Sequence, residues 1–164
     1  MGYWISLIIF TLFIAMFIRK YIFFVTLVTS SSMSPAIMPG DWILTARVYS
    51  FNNISRADIL VFYSPELQKM IVKRVIGLPN DLVEIRADGS LYINQEKLDE
   101  HYVENHGGMN QTFKVPAQKY LFLGDNRVQS NDSRSWLEPF ISEKNIRGKA
   151  RFCLFPINRL ANLK

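Results

Sequence analysis

A mainly antiparallel β body behind one N-terminal membrane-length helix is the architecture that this 164-residue sequence predicts. Two observations carry the prediction. An uncharged apolar stretch runs from Tyr3 to Ile18 and is closed by Arg19-Lys20, and beyond Lys20 the chain breaks into short runs with β-branched or aromatic bias separated by turn residues. A third bounds it: at this length, with 49% hydrophobic residues, the chain suffices for one domain with a real core.

The apolar stretch, extended by Met1 and Gly2, approaches the roughly 17 to 25 residues of a spanning helix. It has no basic segment before it and no small-x-small cleavage site after it, which favours a retained anchor over a removed leader. Being apolar all round, it is not the helix of a soluble core. The expected organisation is an anchor over 1–20 and a β-rich body over 21–164. Within the body, a small hairpin or loop insertion is expected at about 82–118. The predicted strands are Tyr21 to Val28, Asp41 to Tyr49, Asp58 to Tyr63, Met70 to Ile76, Leu82 to Arg86, Leu91 to Asn94 and Tyr120 to Leu123. Pro39-Gly40-Asp41 and Leu78-Pro79-Asn80-Asp81 punctuate them, and Asp88-Gly89 between VEIRA and SLYIN signals a hairpin. Glu100 to Pro116, polar and glycine-bearing, reads as a mobile loop or insertion.

Composition narrows the function classes. The net charge of +5 and pI near 9.4 suit an anionic surface such as lipid headgroups. The basic residues are dispersed, and no zinc-finger, RNA-binding or helix-turn-helix pattern is recognisable, so nucleic acid is not an expected partner. The single cysteine, Cys153, lies in the apolar run Phe152 to Phe155 and reads as a small buried hydrophobe. With one thiol and only His101 and His106 as imidazoles, neither a disulfide framework nor a metal site is expected.

Three segments carry candidate chemistry. Ser32 stands in SSSMSPAIMPGD; taken alone, a loop serine cluster is a turn or capping set. Lys73 stands in MIVKRVIGLP, with Ile71 and Val75 on its own side of a strand and Val72 and Ile76 opposite. A free lysine at pH 7 is neutral in only about one molecule in 2,500, so burial among apolar neighbours is what could make it a base. Alone, such a lysine equally snorkels from a strand edge. The third segment, GDNRVQSNDSR over Gly124 to Arg134, alone is a polar turn with local Asp/Arg pairing. His101 and His106 raise a Ser-His-Asp alternative, but they lie in the polar segment without a fixed apolar frame.

Together the three segments resemble the conserved boxes of the type I signal peptidases, membrane-anchored Ser/Lys endopeptidases that remove leader peptides from exported proteins. The match spans most of the chain after Arg19. The resemblance implies Ser32 as nucleophile and Lys73 as its general base, with no cofactor or metal. It further implies that Ser130 orients the lysine, that Asp132 and Arg134 form a stiffening ion pair, and that the oxyanion hole combines the Ser32 backbone N–H with the Ser30 hydroxyl. Two positions depart from the family pattern. Ala36 stands where a threonine is usual, removing a supporting hydroxyl, and Asn80-Asp81 replaces Gly-Asp, a change that asparagine's tolerance of positive φ accommodates.

The implied partners are signal-peptide-bearing precursors, bound as extended peptides along an edge strand, together with membrane lipid and the export machinery. The implied location is the cell membrane, single-pass, with the catalytic body on the extracytoplasmic side. Arg19-Lys20 beyond the anchor argues the opposite orientation by the positive-inside rule. A catalytically silent relative serving as an assembly factor for surface proteins such as pilins is the alternative, and the presence of both Ser32 and Lys73 argues against it. A self-cleaving repressor of the related Ser/Lys fold would need a DNA-binding module where this chain has a membrane segment.

Overall fold

Residues 2–163 are described by a computed structural model. The N-terminal helix α1 spans Gly2–Tyr21, apolar on all sides and exposed from Tyr3 to Tyr21. It runs three residues past the predicted stretch, carrying Arg19 and Lys20 in its last turn. At 1.5 Å per residue it spans about 30 Å, the thickness of a bilayer's hydrocarbon core.

Among the described residues twelve strands follow: β1 (Phe23–Leu27), β2 (Trp42–Arg47), β3 (Ile59–Ser64), β4 (Lys69–Gly77), β5 (Leu82–Ile85), β6 (Leu91–Ile93), β7 (Glu96–Lys97), β8 (Gln111–Lys114), β9 (Lys119–Leu123), β10 (Phe140–Ser142), β11 (Ile146–Phe155) and β12 (Ala161–Asn162). An eight-stranded sheet has the order β1-β2-β11-β3-β4-β9-β10, with β12 added to β11, and a four-stranded sheet has the order β7-β6-β5-β8. Every pairing is antiparallel.

Alternation along β4 divides the core. Ile71 and Val75 pack with Phe62, Phe122 and Trp136, whereas Ile76 joins Val83, Leu91 and Leu121 beside the smaller sheet. The β5-β6 hairpin turns at Asp88-Gly89 with Gly89 at φ +84, and Asn80 adopts φ +73, as its replacement of glycine requires.

Two features differ from the sequence expectation. Glu100 to Pro116 is not simply a loop: it contains β8, which pairs β5 through Leu82↔Lys114 to Ile85↔Gln111, and it buries Val103 and Val115. Most of its polar residues face outward, while two valines and Phe113 fasten it and the Glu100 side chain turns inward. The longest strand, β11, was not predicted because its inward residues include Gly148 and Ala150, which give alternation with Arg147 and Lys149 little hydrophobic contrast. Bulges after Ala150 and Cys153 further break its period. Cys153 itself is buried, as expected, and burial pushes its thiol pKa up.

Candidate active site

Ser32 lies in the loop between β1 and β2, whose inner face is apolar. Met33 and Ile37 are fully buried against Val28, Ile43 and Ile59, so these side chains seat the loop, with Ser30 exposed and Ser32 buried beside them. Val28 and Gly40-Asp41 close it by backbone bonds, Val28 N to Asp41 O at 2.9 Å and Gly40 N to Val28 O at 2.8 Å. Buried Asp41 accepts from the Met38 N–H at 2.8 Å and pairs with Arg159 at 3.0 Å. Arg159, in the turn after β11, also donates to the Pro35 carbonyl at 3.2 Å. The motif's Gly-Asp ending is therefore a clasp for the loop.

Lys73 is only 3% exposed in mid-β4, cross-strand from Leu60. Burial lowers its pKa from the ordinary value of 10.5 to about 8, against the opposing pull of Asp132 and then Asp125. Ser32 and Lys73 line one cleft of about 290 Å³, together with Ser30, Leu27 and Val28 on one side and Met70 and Ile71 on the other. The Ser30 hydroxyl lies 3.2 Å from Ser32 Oγ. β9 pairs β4 only from Arg74 to Gly77, so beside this cleft the Lys69 to Lys73 half has no strand partner on that edge among the described residues.

The third segment forms the floor. Asp132, fully buried, accepts from the Gly124 N–H at 3.0 Å and from Arg134 Nε at 2.8 Å and Nη2 at 2.9 Å. Arg134 in turn donates to the Arg127 carbonyl at 2.6 Å and the Gly107 carbonyl at 3.1 Å. The expected Asp132/Arg134 pair is thus present and ties the segment together. Asn126 donates its N–H to the Ser32 carbonyl at 3.1 Å, which fastens the Ser32 loop to the same floor. Ser130 Oγ is buried and makes no hydrogen bond among the described residues, so the bond to Lys73 implied by the resemblance is not formed here. It packs instead against Gly124, where an added Cβ would stand 2.2 Å from Ser130 Oγ and 2.4 Å from the Ser32 carbonyl oxygen. Only glycine lets Ser32 and Ser130 approach the same point.

Sequence reasoning missed a second layer. Arg74, next to Lys73 but on the opposite face, makes a bidentate pair with Asp125 at 2.8 and 2.6 Å and lies 4.0 Å from the centre of the Tyr102 ring. Arg127 pairs with Glu100 at 2.5 Å, and Tyr102 donates to the same carboxylate at 2.8 Å. This buried ring links the segment before β8 to the site. Its signal was present in KRVIG and GDNR as charges flanked by apolar residues, a placement that demands partners. His101 and His106 line a separate cavity beside Leu91 and Leu98, away from Ser32, which removes the triad alternative.

The family model described as signal peptidase, peptidase S26, matches residues 1–155. Signal peptidase I of Bacillus licheniformis is 34% identical over 169 residues, covering 96% of this chain and 90% of its own length. That of Leptolyngbya laminosa is 34% identical over 160 residues, covering 92% and 77%. The crystal structure of a signal peptidase I from Enterococcus faecalis V583 superposes with a TM-score of 0.52 at 34% identity, covering 61% of this chain and 98% of that one.

Proposed function

We propose that this chain, which belongs to the signal peptidase family of S26 peptidases, cuts with Ser32 as the nucleophile and Lys73 as its general base. The protein is a serine endopeptidase of the signal peptidase type, a mostly antiparallel β body on one apolar N-terminal helix, and it removes signal peptides from precursors. The dyad reading rests above all on one observation: a lysine buried in mid-strand, with its pKa lowered to about 8, shares a small cleft with the loop serine.

The chemistry follows from the placement. Near pH 8 half of Lys73 is neutral, compared with a negligible fraction of a free lysine. Neutral Nζ takes the proton as Ser32 Oγ bonds to the scissile carbonyl carbon, and the carbonyl oxygen becomes an oxyanion. The Ser32 backbone N–H and the Ser30 hydroxyl donate to it. Collapse breaks the C–N bond, Lys73 returns the proton to the leaving amine, and an acyl ester on Ser32 remains. Water, deprotonated by the same lysine, hydrolyses that ester. Ser130, buried against Gly124 with its hydroxyl otherwise unpartnered among the described residues, is the residue assigned to orient the ammonium, and Asp132 with Arg134 holds the floor rigid.

The precursor binds as an extended strand along the free edge of the Lys69 to Lys73 half of β4, facing Thr26 to Ser30 across the cleft. The body stands on the extracytoplasmic side, where leader peptides emerge, with the export machinery as a neighbour. Cleavage of a signal-peptide-bearing precursor by wild type, Ser32→Ala and Lys73→Ala tests the dyad. Both variants lose cleavage by at least about 10³-fold, and the double variant is no worse than either. Retention of activity within a few-fold in either single variant refutes the assignment. Protease added to intact cells digests the body if it faces outward, and protection until permeabilisation overturns that orientation.

A further inference from the structure

Where α1 gives way to β1, a cleft of about 990 Å³ opens between the helix and the sheet. Its walls are apolar: Ile18 from α1, Phe23, Val25 and Leu27 from the outward face of β1, Trp42 from β2 and Met70 from β4. The β1 residues are 37%, 48% and 53% exposed, alternate residues of an edge strand that cover nothing in the body. Three arginines from three different elements also line it, Arg19 of α1, Arg47 of β2 and Arg147 of β11, and no acidic residue does.

The arginines are not balanced within the protein. Nearby Lys149 pairs with Asp58, but none of the three pairs with a carboxylate among the described residues. Arg47 Nη2 donates to the Arg19 carbonyl at 3.4 Å and its guanidinium lies 4.9 Å from the Phe24 ring, yet its Nε is buried with no hydrogen-bond partner. A buried guanidinium N–H in an apolar wall calls for an anion. The cleft is also held in shape, since Tyr49 OH donates to the Tyr21 carbonyl at 2.7 Å and fixes the helix end to the chain after β2.

We propose that this cleft binds one anionic diacyl phospholipid of the bilayer that α1 enters, its phosphate against Arg19, Arg47 and Arg147 and one acyl chain along Ile18, Val25 and Leu27. Neither half of the chemistry is met otherwise. A free anion leaves the apolar walls wet, and a zwitterionic lipid brings a cation of its own to three arginines. Leu27 and Met70 also line the catalytic cleft, so the bound chain lies against the substrate's wall. The site further explains cations on the body side of the anchor as lipid ligands. It does not depend on the Ser32/Lys73 assignment.

The test is native mass spectrometry of the full chain in a neutral detergent, titrated separately with dioleoylphosphatidylglycerol, dioleoylphosphatidylcholine and the chain-free headgroup glycerophosphoglycerol. One phosphatidylglycerol is retained at least about tenfold more tightly than phosphatidylcholine, and the headgroup alone does not compete. Arg47→Gln and the exposed-site Arg147→Gln each weaken retention about fivefold, the worth of one basic residue at a lipid surface. Ala15→Phe, which fills the chain slot without altering charge, weakens it at least as much, whereas diffuse electrostatic attraction would not respond. Equal retention of both lipids, competition by the free headgroup, or wild-type retention in Arg147→Gln and Ala15→Phe overturns the site.

Discussion

Substituting alanine for Gly124 tests the convergence of the three segments with a single carbon atom. The added Cβ would stand 2.2 Å from Ser130 Oγ, 2.4 Å from the Ser32 carbonyl oxygen and 2.7 Å from Ser130 Cβ, where ordinary contact begins near 3.4 Å. Something must therefore move by about 1 Å. The glycine has little freedom to retreat, because its N–H is held by Asp132 at 3.0 Å and its carbonyl by Arg127 at 3.0 Å. The displacement falls on Ser32 and Ser130. A misplacement of about 1 Å at a nucleophile costs about 10²-fold in rate, or about 2.7 kcal/mol of barrier. Overpacking costs about 1–3 kcal/mol of stability, which leaves the variant folded in a protein of ordinary stability. The assay is steady-state cleavage of a precursor by wild type and Gly124→Ala, with thermal unfolding followed in parallel. kcat falls about a hundredfold while KM changes little. Adding Ser130→Ala does not restore it, because the clash with the Ser32 carbonyl persists. A folded Gly124→Ala variant with kcat within threefold of wild type refutes the argument.

Three further outcomes are expected. Cleavage rises with pH through an apparent pKa near 8 and then levels, since only about a tenth of Lys73 is neutral at pH 7; a profile still climbing at pH 10, or an active Lys73→Arg variant, removes the lysine from the base role. Lys73→Met is inactive yet more stable by up to about 3 kcal/mol at pH 7, because a lysine whose folded pKa lies below its unfolded one destabilises the fold. That penalty is complete below about pH 8 and disappears as pH rises to 10.5, so denaturant midpoints that differ equally at pH 7 and pH 11 contradict it. Asp125→Ala removes half of the buried pair with Arg74 and lowers unfolding free energy by about 3–5 kcal/mol in denaturant titrations; a loss below 1 kcal/mol would show the ring to be incidental.

Strands whose inward residues are large were legible from sequence. β3 and β4 are near-continuous apolar runs carrying Leu60, Phe62, Ile71 and Val75, and Lys73 lies cross-strand from Leu60. β11 escaped because glycine and alanine occupy the middle of its inner face, and β8 because its inward residues, Gln111 and Phe113, are only half-buried and follow a polar, glycine-bearing lead. At the site, the segments pointed to Ser32 and Lys73, which line one cleft, and to the Asp132/Arg134 pair, since short motifs keep their residues in local order. Arg74 with Asp125, and Asp41 with Arg159, join residues 51 and 118 positions apart, and no local pattern announces which distant carboxylate a buried arginine will meet. The Ser130 hydroxyl, buried but unbonded, is a case in which motif order located the residue and left its contact to tertiary structure.

The clasp between Asp41 and Arg159 sets an order of assembly. A growing chain possesses Ser32 and Lys73 early, but the loop carrying the serine gains its last anchor only when the turn after β11 arrives to hold Asp41 and the Pro35 carbonyl. β2 likewise waits for β11, its partner from Gly148 to Phe155, before the loop has a fixed base. Closing so long a span of chain is slow relative to forming local hairpins such as β5-β6. Through that interval the nascent protein holds both reactive groups without the geometry that joins them. Proteolytic competence therefore appears as one of the last events of folding, after the chain has drawn its distant parts together.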